Sequence, residues 1–221
     1  MVHSTRTLQP FSEADIPAAV SLLFTSFHDT EVRKLFTDTP GARQWWHDTM
    51  CNDLLQKQNQ TYLKVMEKGK MIAFSKWDMS RFDENTSPYL PWHPDMNSEA
   101  WEQFLIYIMR ERKRVMGSRR HYCERSLSLP LDLASLVTDI PADLDTLVIH
   151  PDHQGTGAAS TLLRWGCRQA DCDRVYVYTD AISDESRLFE KFDFLDYSSP
   201  VFDNWLVPMV RIPAVCTESE W

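Results

Sequence analysis

The stretch LDTLVIHPDHQGTGAASTLL, Leu144 to Leu163, constrains the fold of this 221-residue chain more than any other. It reads as an apolar strand, a turn holding Gly155 and Gly157, and a helix that opens on small residues. The whole chain has six glycines, and two of them fall in this one turn. Glycine there lets backbone N–H groups approach a ligand closely, and a helix start favours an anion. A phosphate is the ligand such a turn suits, and a strand feeding a helix in this way belongs to α/β architecture.

The rest of the chain fits that class. TRTLQPF reads as a first strand. SEADIPAAVSLLFTSF reads as a helix, with Ser12 and Asp15 at capping-box spacing. PGARQWWHDTMCNDLLQKQ is a second helix, with Pro40 suited to its first turn. TYLKVMEKGKMIAFSKWDMS is a hairpin turning at Glu67-Lys68-Gly69-Lys70, followed by a loop rich in proline and acids. EAWEQFLIYIMRERKRVM is a long amphipathic helix whose basic end suits the helix dipole. CERSLSLPLDLASLVTDIPAD, 123–143, is expected to be a surface excursion with a short helix near Leu131 to Leu136. After the glycine turn come a helix through AASTLLRWGCRQA, a strand at RVYVYT, a short helix in SDESRLFEKFDF and a last strand at WLVPMVRIP. The tail, 214–221, is expected to fray. Strands that alternate with helices, plus one hairpin, predict a mixed sheet in a single domain over 1–221.

Composition narrows the function classes. Apolar content of 43% and charged content of 25% are those of an ordinary globular protein. A net charge of −9 argues against a general nucleic-acid binder. The start lacks the apolar core of a secretory signal, and no apolar run is long enough to cross a membrane. The five cysteines are scattered, with no zinc-ligand spacing, so they read as reduced structural thiols; no metal is expected, and the cytoplasm is the expected location.

Three readings of the turn compete. A P-loop needs a lysine after its last glycine, and none follows Gly157. The dinucleotide fingerprint Gly-x-Gly-x-x-Gly is met only in part, because Ala158, Ala159 and Ser160 follow Gly157. The third reading fits best. HPDHQGTGAA resembles the acyl-CoA turn of the GNAT N-acetyltransferase superfamily, Gln/Arg-x-x-Gly-x-Gly/Ala, met by Gln154, Gly157 and Ala159. VIHP resembles that family's strand end V-x-P, and RLFEKFDF its closing LYEKFGF. FSKW, VMGSRRHY and the first helix resemble fungal-type members, in the same order along most of the chain.

The resemblance implies a GNAT-type α/β domain: a mixed, mostly antiparallel sheet splayed between two parallel strands and flanked by helices. It implies acetyl-CoA, or another acyl-CoA, with its diphosphate on the backbone of Gln154, Gly155, Thr156, Gly157, Ala158 and Ala159. It places the pantetheine arm along Val148 and Ile149, with Phe189 against the cofactor. The implied reaction is acyl transfer to a primary amine of a small molecule in a ternary complex. A backbone N–H in the splay supporting the developing oxyanion is worth ~3 kcal/mol. Such a protein would be a monomer or homodimer.

An amine nucleophile must lose a proton, so a base helps. Asp180, just beyond YVYT, and Asp145, on the strand before the turn, are the candidates, with His150 behind them. The family's closing tyrosine, a proton donor to the leaving thiol, is Phe189 here, and the glycine near it is Asp193. Tyr176, Tyr178 and Tyr197 are possible replacements. Trp45 and Trp46 are adjacent on one helix, so one is expected in the core and the other partly exposed. Trp46 and Tyr178 are the candidate acceptor contacts. Two alternatives stay open: a non-catalytic CoA-binding protein, motivated by Phe189, and a GNAT-scaffold enzyme of another reaction class.

Overall fold

A computed structural model describes residues 6–27, 35, 37–57, 60–78, 90–125, 142–199 and 205–214. The elements in chain order are β1 (Thr7–Pro10), α1 (Ile16–Ser26), α2 (Pro40–Gln56), β2 (Gln60–Glu67), β3 (Lys70–Asp78) and α3 (Ser98–Arg125). They continue with β4 (Ala142–Ile149), α4 (Ala158–Asp173), β5 (Val177–Ile182), α5 (Ser186–Glu190), β6 (Phe194–Asp196) and β7 (Leu206–Arg211). The chain divides into two compact units. The first holds 1–78, 82–105 and 146–162; the second holds 79–81, 106–145 and 163–221.

In the first unit the strands neighbour one another in the order β1-β2-β3-β4, and β1–β2 and β2–β3 are antiparallel. The hairpin turns on Lys68 and Gly69, both at positive φ (50° and 74°), the pair of conformations a two-residue hairpin turn requires. α1 is preceded by the capping box read from the sequence: Ser12 donates from its N–H and its hydroxyl to Asp15 Oδ2, each at 2.8 Å. Thr39 caps α2 by accepting from the Ala42 N–H at 3.1 Å, with Pro40 at the first position. Ile16, Leu23, Val65, Phe74, Trp77 and Val148 are among the most buried apolar side chains of this unit.

Both adjacent tryptophans are in that core, against the expectation that one would face outward: Trp45 is 4% and Trp46 8% exposed. Each has its own cover. Trp45 stacks on Trp92 with centroids 5.0 Å apart, and Trp46 meets Trp101 edge-on at 6.2 Å. A helix covered on two sides buries both.

In the second unit the order is β4-β5-β7-β6, with β5–β7 and β6–β7 antiparallel. β4 and β5 are parallel, in register at Ala142↔Val177 and Asp143↔Tyr178. Among the described residues that register ends there, while β5 goes on pairing with β7 as far as Ile182. The helices and mixed sheet make this the α/β class expected from the sequence.

β5 begins three residues later than RVYVYT predicts. α4 closes with Arg174 in the left-handed region (φ 56°), the Val175 N–H bonding the Ala170 carbonyl at 2.9 Å and the Arg174 N–H bonding that of Asp171 at 3.3 Å. This is a Schellman closure, made here without glycine, and it takes up the residues that look like the start of the strand. Arg211 on β7 anchors the same helix end, donating to both carboxylate oxygens of Asp171 at 2.7 and 2.8 Å.

The excursion at 123–143 lies outside the described residues from 126 to 141, with its short helix, as does the tail from 215. Among the described residues no helix is long and apolar enough to cross a membrane.

Candidate functional site

The first unit carries the glycine turn. β4 ends with Val148 buried, and Ile149 offers its carbonyl to the Ser26 hydroxyl at 2.9 Å. His150 then caps a short 3-10 turn, Pro151–His153, its Nδ1 accepting from the Asp152 N–H at 3.2 Å. That role accounts for a histidine before the proline without calling on it as a base. Gln154 is exposed, and its N–H is used by the Pro151 carbonyl at 3.2 Å.

Gly155 and Gly157 both adopt left-handed φ, 69° and 92°. A side chain at either would strain the backbone, and a Cβ built there meets no heavy atom within 4 Å. The two positions are therefore glycine for backbone reasons, with open space beside them. Ala158, 1% exposed, starts the 16-residue α4, and Ala159 is half-buried. The first N–H groups of a helix have no partner inside it, and its dipole favours an anion at that end. Small residues, open space and a positive helix end fit a diphosphate.

Three residues that sequence reasoning did not single out hold this turn. Arg6 donates to the Thr156 carbonyl and, through Nε, to Glu67 Oε1 at 3.1 Å. Glu67 Oε2 lies 3.1 Å from His153 Nδ1. Such pairing between the chain start, a hairpin and a late turn has no signature in the sequence.

The second unit carries the acid–base groups. The Tyr178 hydroxyl donates to Asp180 Oδ1 at 2.9 Å. Burial pushes the Asp180 carboxyl up to about 7; the Tyr178 hydrogen bond and Arg112 oppose this, and Glu111 and Asp145 add to it. Burial, together with Asp180, pushes the Tyr178 phenol far above the ordinary tyrosine value, so it remains a donor. Asp145 is exposed and acts on Asp180 through its charge.

One face of α3 adds Tyr107 and Glu111, which were not singled out, beside Arg114 of the helix's basic end. Tyr107, Glu111 and Arg114 are spaced i, i+4 and i+7, which places them together. Glu111 is 4% exposed and accepts from Arg114 at 2.7 Å, and Arg114 also donates to the Tyr197 carbonyl at 2.7 Å. The Tyr107 hydroxyl is buried with no hydrogen-bond partner among the described residues; burial raises its pKa, and the charges of Glu111 and Asp180 add to the rise. The i, i+4, i+7 spacing was the signal available for them.

Phe189 is 4% exposed and packs edge-on against Phe194, centroids 5.6 Å apart. Asp193, where the family pattern has glycine, takes the left-handed φ of 64°. Cys51, Cys167 and Cys172 form no disulfide among the described residues, and burial pushes Cys167 up to about 11.

Solved structures share this fold over almost their whole length. The histone acetyltransferase HPA2 and related acetyltransferase of Corynebacterium glutamicum matches at 18% identity and TM-score 0.55, covering 96% of this chain and 99% of its own. PaiA N-acetyltransferase of Thermoplasma acidophilum, solved with coenzyme A, matches at 9% identity and TM-score 0.51, covering 94% and 99%. This chain has the GNAT fold. An acetyltransferase of Thermus thermophilus matches the same fold at 12% identity and TM-score 0.53, covering 94% and 97%. No protein-family model and no curated protein matches the chain by sequence. The GNAT fold is the one the glycine turn and its flanking motifs imply; the fungal-type likeness rests on the sequence motifs alone.

Proposed function

We propose that the protein is an acyl-CoA-dependent N-acyltransferase that moves an acetyl group to a primary amine of a small molecule. The observation that carries the reading is the open turn with left-handed Gly155 and Gly157 at the head of α4, on a GNAT fold. Support for CoA as the ligand comes from the neighbour solved with coenzyme A.

When bound, acetyl-CoA supplies an activated acyl carbonyl and a thiol leaving group. Gln154, Gly155, Thr156, Gly157, Ala158 and Ala159 form the turn that would hold its diphosphate, through backbone N–H groups other than those of Gln154 and Thr156, which bond the Pro151 and His153 carbonyls, and Val148 and Ile149 would line its arm. Asp180 takes the proton that the amine nitrogen gives up as the new N–C bond forms. A carboxyl at about 7 suits that task near neutral pH, and Tyr178 holds its Oδ1 in place. Asp145 adds negative charge beside Asp180, which favours a cationic amine.

One feature favours a second reading, a CoA-binding protein without transfer: Phe189 has no hydroxyl to give a leaving thiolate. The test is mass spectrometry of a primary-amine panel incubated with acetyl-CoA. An N-acetyl product made by wild type and lost in Asp180→Asn supports transfer. CoA binding with no product on any amine favours the second reading.

A further inference from the structure

We infer that Arg6, anchored by Glu67 and His153, is a positioning residue that sets the direction of the Gly157 N–H in the anion-binding turn. The inference rests on the acyl-CoA reading for the ligand, but its geometry stands apart from that reading.

The Arg6 guanidinium forks. Nε donates to Glu67 Oε1 at 3.1 Å, and Nη1 donates to the Thr156 carbonyl. The other oxygen of Glu67 lies 3.1 Å from His153 Nδ1, so the carboxylate is held from both sides. Its side chain is only 11% exposed, which strengthens both contacts relative to a surface pair. The turn is tied to itself as well, since the Thr156 hydroxyl donates to the His153 carbonyl at 2.5 Å and His153 N–H to the His150 carbonyl at 2.8 Å.

The consequence lies in one peptide plane. The Thr156–Gly157 peptide is trans, and in a trans peptide the C=O and N–H point in opposite directions. With the Thr156 carbonyl turned to Arg6, the Gly157 N–H must point away from it. Glycine at φ 92° has no side chain to restrict that plane, so the turn needs an outside restraint to keep it fixed. Arg6 supplies it, and a preorganised donor binds an anion without the cost of ordering. Glu67 neutralises the guanidinium, so Arg6 acts through the backbone it holds more than through its own charge.

The test is 15N relaxation of the unliganded protein, with CoA affinity by calorimetry, on wild type, Arg6→Ala, Arg6→Lys and Glu67→Gln. Arg6 is at the surface and its removal leaves the core intact. Wild type is expected to show rigid order parameters at Gly155 and Gly157, near ~0.85, that drop toward ~0.6 in Arg6→Ala and Glu67→Gln. CoA should bind about tenfold more weakly in both, equivalent to ~1.4 kcal/mol. Lysine, which cannot fork, should restore only part of the loss. Wild-type order parameters in Arg6→Ala overturn the inference, and so does loosening spread over the whole unit. Loosening confined to the turn with unchanged CoA affinity overturns the positioning role. If wild type binds no CoA, the acyl-CoA reading fails, and the order parameters alone decide whether Arg6 holds the turn.

Discussion

The Tyr178 hydroxyl sits 2.9 Å from Asp180 Oδ1, two residues along the same face of β5, and it is the donor in that bond. The pair joins a carboxyl that burial keeps partly protonated near neutrality to a phenol that does not ionise in the same range. In the proposed mechanism this carboxyl is the base, and its nearest neighbour tunes it.

Asp180→Asn separates the proposed catalytic role of that carboxyl from its effect on stability. Folding raises its pKa from 3.8 to about 7, so between those values the folded state keeps a proton that the unfolded state has lost. Stability from this group is therefore full below pH 4 and falls as pH rises to 7. The asparagine variant should match wild type in Tm near pH 4 and exceed it at pH 8, while kcat falls by about 10²–10⁴. A variant less stable than wild type at pH 8 contradicts the assignment. In wild type, kcat/KM should rise with pH through about 7.

Tyr178→Phe removes the donor that favours the ionised carboxylate. The Asp180 pKa then rises, and the ascending limb of kcat/KM should move to higher pH with its shape kept. A limb that stays in place shows that the titrating group is not Asp180.

Phe189→Tyr adds the hydroxyl of the GNAT closing motif that this segment resembles, at a site that is 4% exposed and packed against Phe194. An added hydroxyl without a partner costs about 1–3 kcal/mol. The variant should lose stability in denaturant titration and gain no turnover. A large gain in turnover would favour the reading in which wild type binds CoA without transfer.

Asp193→Gly should stabilise the chain by up to ~1 kcal/mol, because Asp193 occupies a left-handed backbone conformation that glycine adopts without strain. Asp193→Val should be worse than wild type. Equal Tm for all three shows that the strain is absorbed elsewhere.

Local signals in the sequence were legible. The Ser12–Asp15 capping box, Pro40 opening α2 and the Lys68-Gly69 turn are each set by residues within a few positions of one another. The glycine turn was legible for the same reason, and its conformation gives both glycines a backbone cause. The start of β5 was not, because Arg174 makes a closure usually signalled by glycine. The burial of Trp46 depends on Trp101, which no helical pattern in α2 encodes. The Arg6–Glu67–His153 tie joins residues far apart in sequence, and only the folded sheet brings them together. For the acid–base groups, the sequence supplied Asp180 and Tyr178 as candidates, but burial and the hydrogen bond between them exist only in the fold.

The central claim is that the Gly155–Gly157 turn holds the diphosphate of CoA. It is tested most directly by thermal unfolding of wild type and Gly157→Val with CoA and with a plain nucleotide diphosphate. A Cβ there meets no heavy atom within 4 Å, but valine must adopt a strained φ beside the ligand's proposed place. At 100 times its dissociation constant CoA should add ~2.7 kcal/mol to wild type, raising Tm by about 5–10 °C at this size, and should leave the variant unmoved. Wild type unmoved by millimolar CoA, or moved equally by the nucleotide control, contradicts the claim.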